Sequence, residues 1–306
     1  MRHLDSLRMI EAAARAGSIR KAADDLNITA SAMVRRINRF EEEFGSEVFE
    51  RLPSGVRLNP AGELVLQHYR ATLSDLSRVR GQVADLGGER RGHVSIACSQ
   101  ALLPSFLPRQ IARYRSQHPG VTFSVNVRDR ARAEQELAEY ASDLALVFEP
   151  VYLVDFQVIL SIPQQVCAVM SVDHPLAVKR ELRLRDCLGV PHIAPSSTYG
   201  VRHLLDYGAR RGGRQVSPVV ETESFELIRH YVLQENVIGF QIPIGLGPVD
   251  DPRLVLRPIS QRDLPMGNLI LGQMRGRTLP VASAKFAMQL AAALETEEAD
   301  MRPGEG

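Results

Sequence analysis

The sequence predicts an α/β chain made of a small helical unit with a hairpin, one long helix, and a larger two-lobed α/β domain. Three observations predict it. Residues 17–49 hold a short helix, a tight break and a longer helix with one apolar and one basic face. Residues 60–86 carry a continuous apolar seam at helical spacing. From residue 93 onward, strand-like and helix-like runs alternate in two successive series.

Composition bounds the function. A chain of 306 residues can bury the cores of two or three domains, and 44% hydrophobic with 24% charged residues is ordinary for a globular protein. The formal net charge of +1 gives no bulk attraction to nucleic acid, so such an affinity must come from a local patch. No run has the length of a membrane-spanning helix, and the N-terminus lacks the apolar core of a signal peptide. Three cysteines without metal spacing fit a reducing compartment, with bacterial cytosol the simplest setting. No membrane partner, metal or cofactor is expected.

Asp5 is placed to cap a first helix, with Leu7, Ile10 and Ala14 on one face and Gly17 as its stop. Ser18 caps a second helix carrying Ala22, Ala23 and Leu26 on one side, the alanines small enough for close crossing. Asn27 and Ile28 break it, and Thr29 caps the next. Met33, Ile37, Phe40 and Phe44 then recur at spacings of four, three and four, which is one buried helical face. The opposite face holds Ser31, Arg35, Asn38 and Arg39, and Arg36 adds to a basic run that meets no acid before Glu41. Two helices, a tight turn and a polar, basic second helix make a helix-turn-helix, whose second helix enters the major groove of double-stranded DNA. A plain helical bundle has similar spacing, and the spacing alone leaves it open.

Val48 to Arg51 and Val56 to Leu58 are β runs joined by Leu52-Pro53-Ser54-Gly55, a hairpin wing. Arg51 and Arg57 on it are candidates for phosphate or minor-groove contact, or for ordinary surface charge. Asn59-Pro60 reads as N-cap and first residue of a helix to about Leu86, roughly 40 Å long at about 1.5 Å per residue. Leu66, Tyr69, Leu73, Leu76 and Val83 form its seam, beside a seven-residue series of Val65, Thr72, Val79 and Leu86. Such a seam needs a partner, and the same helix of a second subunit is the economical one. Arg80 interrupts the seam and argues against a long strict coiled coil. Gly87 to Gly92 reads as a linker.

In the larger domain, Val94 to Cys98, Val121 to Val127 and Leu144 to Phe148 read as strands. Helices fall around Leu102 to Tyr114 and Ala131 to Tyr140. A second series has strands at Val166 to Val172, His192 to Ala194, Val219 to Glu221 and Val237 to Ile242. Its helices fall at Leu184 to Leu188, Val201 to Arg211 and Ser224 to Gln234. A strand at Leu269 to Met274 and a helix at Val281 to Leu294 close the series, and Glu295 to Gly306 reads as a frayed tail. Alternation at this spacing implies parallel sheets in two lobes with a cleft between them. Ligands in such sheets bind beyond the carboxyl ends of strands, near helix N-termini. Ser99-Gln100 and Ser196-Ser197-Thr198 lie there, and Phe148, Thr222 and Ile242 sit at other strand ends. Each hydroxyl is equally placed to be an ordinary helix cap.

Residues 1 to 92 resemble the winged helix-turn-helix and linker helix of LysR-type transcriptional regulators. The resemblance is carried by Gly17-Ser18, Ala22-Ala23, Leu26, Ser31-Ala32, Arg35, Ile37 and Glu41-Glu42-Glu43-Phe44-Gly45. Phe49-Glu50-Arg51, Val56-Arg57-Leu58 and Ala61-Gly62 extend it. The rest resembles the family's effector-binding domain at Pro119-Gly120-Val121, Asp143 to Val147 and His174-Pro175-Leu176. The resemblance implies a winged DNA-binding domain at 1–58, a linker and dimerisation helix with hinge at 59–92, and an effector-binding domain at 93–306 with the architecture of periplasmic solute-binding proteins. Lobe I would comprise about 93–161 and 267–296, and lobe II about 162–266, with crossings near Leu160 to Pro163 and Leu264 to Asn268. It further implies a dimer or homotetramer reading an interrupted DNA palindrome. A small-molecule effector would bind between the lobes and change subunit angles, DNA bending and contact with RNA polymerase.

Where the family often has Gln and Ser on the reading helix, this chain has Ala30 and Val34, which cannot donate hydrogen bonds but can pack on a thymine methyl. The implied DNA-contact set is Thr29, Ala30, Ser31, Val34, Arg35, Arg36, Asn38, Arg39, Arg51 and Arg57. The implied effector set is Ser99, Gln100, Phe148, Ser196, Ser197, Thr198, Thr222 and Ile242, and its hydroxyls and N–H groups favour a small anion. Redox-sensing members of the family pair cysteines in this domain. Cys167 and Cys187 could form such a pair or be small buried residues, and Cys98 lies beside the pocket. Two other classes stay open. An enzyme built on the two-lobed domain would need a catalytic motif. The chain has no phosphate-binding Gly loop, Gly-x-Ser-x-Gly elbow or His-Glu-x-x-His site, and His118, His174, His192, His203 and His230 read as surface or capping residues. A cytoplasmic small-molecule-binding protein would share the two lobes, but the winged unit counts against it.

Overall fold

Helices Arg2–Ala16 (α1), Ile19–Asp25 (α2) and Ala30–Phe44 (α3) meet on an apolar core because each brings one stripe to it. Leu7, Ile10, Ala13, Ala22, Ala23, Met33, Ile37 and Phe40 are all buried there. The computed structural model describes residues 2–86, 91–246 and 251–301. The chain divides into two compact units, Met1–Ser77 and Arg78–Gly306. Among the described residues, no helix is long and apolar enough to cross a membrane.

Two expectations for the first unit are corrected. Asp5 lies in the first turn of α1 and not at its cap, since the helix already begins at Arg2. Phe44 is 55% exposed, not buried, because α3 ends at Gly45 and the ring stacks on the outside of Phe40 at 5.5 Å. The break between α2 and α3 is made by Asn27 in the left-handed region at φ 55°, a conformation asparagine tolerates. Strands Phe49–Leu52 (β1) and Gly55–Leu58 (β2) pair antiparallel as a hairpin. Gly55, at φ 141°, has no room for a side chain, since a Cβ there would strike the Gly17 carbonyl. Val56 N–H donates to that same carbonyl at 3.0 Å, so the wing is fastened to the α1–α2 turn.

Helix Pro60–Leu86 (α4) begins at Asn59, whose side chain accepts from Gly62 N–H at 2.8 Å. Its early seam residues Val65, Leu66 and Tyr69 are buried in the first unit. Farther along, Leu73, Leu76, Val79 (44% exposed) and Val83 (62% exposed) are uncovered within one chain. The expected linker at Gly87 to Gly92 lies outside the described residues at 87–90, and Gly92 already opens the next strand.

Lobe I is a five-stranded sheet in the order β4-β3-β5-β12-β6. Its strands are Gly92–Cys98 (β3), Val121–Val127 (β4), Leu144–Phe148 (β5), Phe156–Gln164 (β6) and Gly267–Met274 (β12). Helices Phe106–Gln117 (α5), Arg130–Ala138 (α6) and Val281–Met301 (α11) accompany it. α11 runs on through the stretch expected to fray, and 302–306 lies outside the described residues. β3 pairs in parallel with β4 and β5, but β12 runs antiparallel to both β5 and β6. The expected parallel sheet is therefore mixed, because both strands that lead to and from lobe II lie side by side in it. Under this sheet Asp143 and Arg277 form a buried ion pair, and Asp143 also accepts from Ser283 Oγ at 2.8 Å and Ser95 N–H at 3.1 Å.

Lobe II has an antiparallel sheet of Gly239–Gln241 (β10), Cys167–Ser171 (β7) and Leu254–Pro258 (β11). A parallel pair, Ile193–Pro195 (β8) and Val220–Thr222 (β9), lies beside it. Helices Leu184–Cys187 (α7), Gly200–Arg211 (α8), Phe225–Gln234 (α9) and Pro243–Leu246 (α10) cover it. Two of its histidines are buried, His174 as the N-cap of the short helix that follows it and His192 without a capping role. His174 Nδ1 accepts from Leu176 N–H at 3.1 Å and His192 Nδ1 meets the Val190 carbonyl at 2.9 Å, both with buried rings.

Burial pushes both imidazoles below their ordinary value of 6.5. The unfolded chain then takes up protons that the folded lobe refuses. Stability from these two groups is full above pH 6.5 and is lost as the pH falls from there toward their lowered folded values. Asp186 and Asp263 are held low by Lys179 and Arg183, so their contribution is lost only well below this window. The urea midpoint of the full chain, read by circular dichroism because the chain has no tryptophan, should be lower at about pH 5.5 than at about pH 7.5. His192→Gln should narrow that difference, and equal midpoints for the unaltered chain would refute the linkage.

Candidate functional site

On the first unit, α3 presents its polar face as the sequence pattern requires. Thr29 is the N-cap, its Oγ1 accepting from Ala32 N–H and lying 3.3 Å from Ser31 Oγ. Ser31, Arg35, Arg36 and Arg39 are exposed, while Ala30, Val34 and Asn38 are half-buried. The arginines fall into two groups. Arg39 is paired with Glu43 at 2.8 Å and Arg57 with Glu50 at 2.6 Å. Arg35, Arg36 and Arg51 have no ion-pair partner among the described residues. Exposed pairs of this kind contribute little to stability, so Arg39 and Arg57 can be drawn away by phosphate, but only after losing a carboxylate.

In the second unit, β3 and β5 of lobe I end facing the helices of lobe II. Ser99, Phe148 and Ile242 line one cavity, together with Arg128, Arg130, Tyr199, Gly200, Val201 and Phe225. Arg128 and Arg130 follow the end of β4, a strand end the sequence reading passed over, although the same strand-end rule applies there. Arg128 is ion-paired with the buried Glu136, and Arg130 Nη1 donates to the Glu149 carbonyl at 3.0 Å. α8 starts at this cavity with Tyr199 as its N-cap, and no side chain caps its first N–H groups. Gly200 admits no Cβ, because one would strike the Phe148 carbonyl. Tyr199 and Phe225 meet edge to face at 5.5 Å.

The other expected effector residues are engaged elsewhere. Gln100 Oε1 accepts from Phe225 N–H at 2.8 Å, so a lobe I side chain caps the first turn of α9 in lobe II. Ser196 and Thr198 bond each other at 3.0 Å, Ser196 N–H donates to the Thr222 carbonyl at 2.9 Å, and Thr222 Oγ1 accepts from Ser224 N–H at 3.0 Å. These three and the exposed Ser197 do not line the cavity. The cavity itself holds about 10 Å³, room for about one water molecule. A cavity of this size is smaller than a typical small-molecule site.

Cys98, Cys167 and Cys187 are buried and unbridged, and burial pushes each thiol up to about 12. The raised value disfavours the thiolate, the form of cysteine that reacts in redox chemistry. Among the described residues no group of His, Cys, Asp and Glu is placed to hold a metal.

Residues 4–63 match the family described as bacterial regulatory helix-turn-helix protein, lysR family, and residues 87–295 match the LysR substrate binding domain. The RuBisCO operon transcriptional regulator of Allochromatium vinosum is 30% identical over 75% of this chain and 76% of its own length. Among solved structures, a full-length single-residue variant of OxyR from Pseudomonas aeruginosa superposes with a TM-score of 0.68 at 19% identity, covering 94% of each chain. CbnR complexed with its target DNA gives 0.61 at 14% identity over 95% of this chain and 99% of that one. The curated relatives are named as transcriptional regulators and not as enzymes.

Proposed function

Because the chain belongs to the lysR family of bacterial helix-turn-helix regulators, we propose that it binds specific DNA through α3 and the wing, and that a small anion entering between its lobes changes that binding. The observation that carries the anion is the uncapped N-terminus of α8, which opens onto the same cavity as Arg130. Free helix N–H groups, the positive end of the helix dipole and the Arg130 guanidinium all favour a carboxylate or phosphate there, while the charge of Arg128 is balanced by Glu136. Ser99 adds a hydroxyl, and Phe148, Tyr199 and Phe225 supply an apolar wall for the remainder of the ligand. DNA contacts come from Ser31, Arg35, Arg36 and Asn38 with Ala30 and Val34 against bases, and from Thr29, Arg39, Arg51 and Arg57 toward phosphates. The uncovered seam of α4 at Leu73, Leu76, Val79 and Val83 supports self-association through this helix, as a dimer or as a tetramer of two such pairs. Two winged units would then read an interrupted palindrome in the bacterial cytoplasm, and altered angles between subunits would be felt by RNA polymerase.

Selection of genomic DNA fragments by the full-length protein tests the first half. Enrichment of an interrupted palindrome is expected, and no enrichment even at low salt would refute DNA reading. Calorimetry with a panel of carboxylates, phosphates, neutral and cationic metabolites tests the second. An anion should bind, and Arg130→Ala should weaken it by about tenfold or more, the value of one charge-assisted hydrogen bond. Binding by neutral or cationic compounds alone would overturn the anion assignment.

A further inference from the structure

Lobe II holds another cavity, which shares no lining residue with the cleft between the lobes. Its walls are α7, the last turns of α8, the turn at Gly212 to Arg214 and the loop at Arg262-Asp263, and its volume is about 360 Å³. That is within the range of roughly 300–1,000 Å³ typical of small-molecule sites. Five arginines line it, Arg183, Arg185, Arg211, Arg214 and Arg262, against the single carboxylate of Asp263. The whole chain carries a formal charge of only +1, so this is a local gathering of charge.

The carboxylate is already committed. Asp263 accepts from Arg183 Nε at 2.8 Å and Nη2 at 2.7 Å, and from Leu184 N–H at 2.8 Å. Arg185 lies 3.8 Å from Asp186, which is itself bonded to Lys179 at 2.8 Å. Arg211 rests over the Tyr207 ring with 5.7 Å to its centroid. Arg211, Arg214 and Arg262 are exposed and have no ion-pair partner among the described residues. The carbonyl end of α8 accounts for a cation at Arg211, but Arg185 and Arg262 come from other elements, so the helix dipole does not explain the convergence. Arg211, Arg214 and Arg262 therefore bring positive charge to the rim of one cavity without a carboxylate to balance it, which favours a ligand with several negative charges.

We propose that this cavity is a second ligand site, distinct from the cleft, for a small polyanion with two or more phosphate groups. Planar guanidinium forks match phosphate oxygens in pairs, and the committed Arg183–Asp263 pair holds one wall rigid before the ligand arrives. Calorimetry on the full-length protein with inorganic pyrophosphate, and separately with ADP, tests it at low salt. One ion should bind per chain, with an affinity that falls as salt is added. Arg211→Ser with Arg214→Ser should weaken it by about tenfold or more, while Arg130→Ala in the cleft leaves it unchanged. Arg262→Ser, on a loop, repeats the test without touching α8. Tighter binding of ADP than of pyrophosphate would mark the ligand as a nucleotide, and equal binding a phosphorylated metabolite without a base. No binding at low salt, uptake of many ions without saturation, or loss in Arg130→Ala with retention in the double variant would overturn the proposal.

Discussion

Arg35→Ala is expected to weaken operator binding by about 1–3 kcal/mol for each half-site, the usual cost of a lost base-reading arginine. A dimer engaging two half-sites loses about 2–6 kcal/mol, which is roughly 30-fold to 10⁴-fold in affinity. The expectation follows from the two groups of arginines on the reading unit. Arg35 is exposed on α3 with no carboxylate to release, whereas Arg39 must first leave Glu43, to which it is bonded at 2.8 Å. Arg39→Ala should therefore cost much less, and it should lower the salt dependence of binding more than its sequence preference. The measurement is a fluorescence anisotropy titration of the selected operator and of a scrambled duplex at several salt concentrations. Equal losses for the two variants on the operator would place Arg39 in the groove beside Arg35 and reject the distinction.

Arg277→Met is expected to destabilise the second unit by about 3–5 kcal/mol, because it strands the Asp143 carboxylate as a buried, unpaired charge. Both side chains are less than 10% exposed, and Arg277 also donates to the Ser142 carbonyl at 2.9 Å and lies over the Tyr140 ring. Asp143 in turn accepts from Ser95 of β3 and Ser283 of α11, so one carboxylate joins three parts of lobe I. The urea midpoint of the full chain should fall by roughly 1–2 M, read by circular dichroism. Adding Asp143→Leu should restore part of the loss by removing the stranded charge, but not all, since Ser95 N–H then loses its side-chain acceptor and Ser283 Oγ keeps only the His93 carbonyl at 3.4 Å. A cost below about 1 kcal/mol for Arg277→Met would show that the pair is hydrated and contributes little.

The reading helix was legible because an amphipathic stripe, an N-cap and a left-handed break all act within a few residues. Ser18, Thr29, Met33, Ile37 and Phe40 declare their places without reference to the rest of the chain. β6 was not legible as a strand. Pro163 and an apolar run without alternation disguise it, and the proline is tolerated only because β6 lies at the sheet edge. β11 escaped for a similar reason, since its half-buried pattern has no period of two. In the cleft, strand ends point to Ser99, Phe148 and Ile242, while Arg128 and Arg130 follow the end of β4, a strand end not among those singled out from the sequence. That α8 of lobe II closes on the same cavity depends on the close approach of Gly200 to Phe148, a contact between residues distant in sequence. Gln100 was singled out as a ligand contact, and only the fold reveals the Phe225 N–H it occupies.

The place of β12 in its sheet bears on how the chain is made. It sits between β5 and β6, yet roughly 100 residues are translated after Gln164 before Gly267, its register partner, is added. At about 5–20 residues per second, the ribosome leaves β5 with one open edge and β6 without its only sheet partner for on the order of 5–20 s. Those edges are the open templates on which other nascent chains can pair. The lobe begun first is thus completed last, and its yield in the cell should depend on how quickly lobe II folds out of the way and on how well chaperones cover β5 and β6 in the interval.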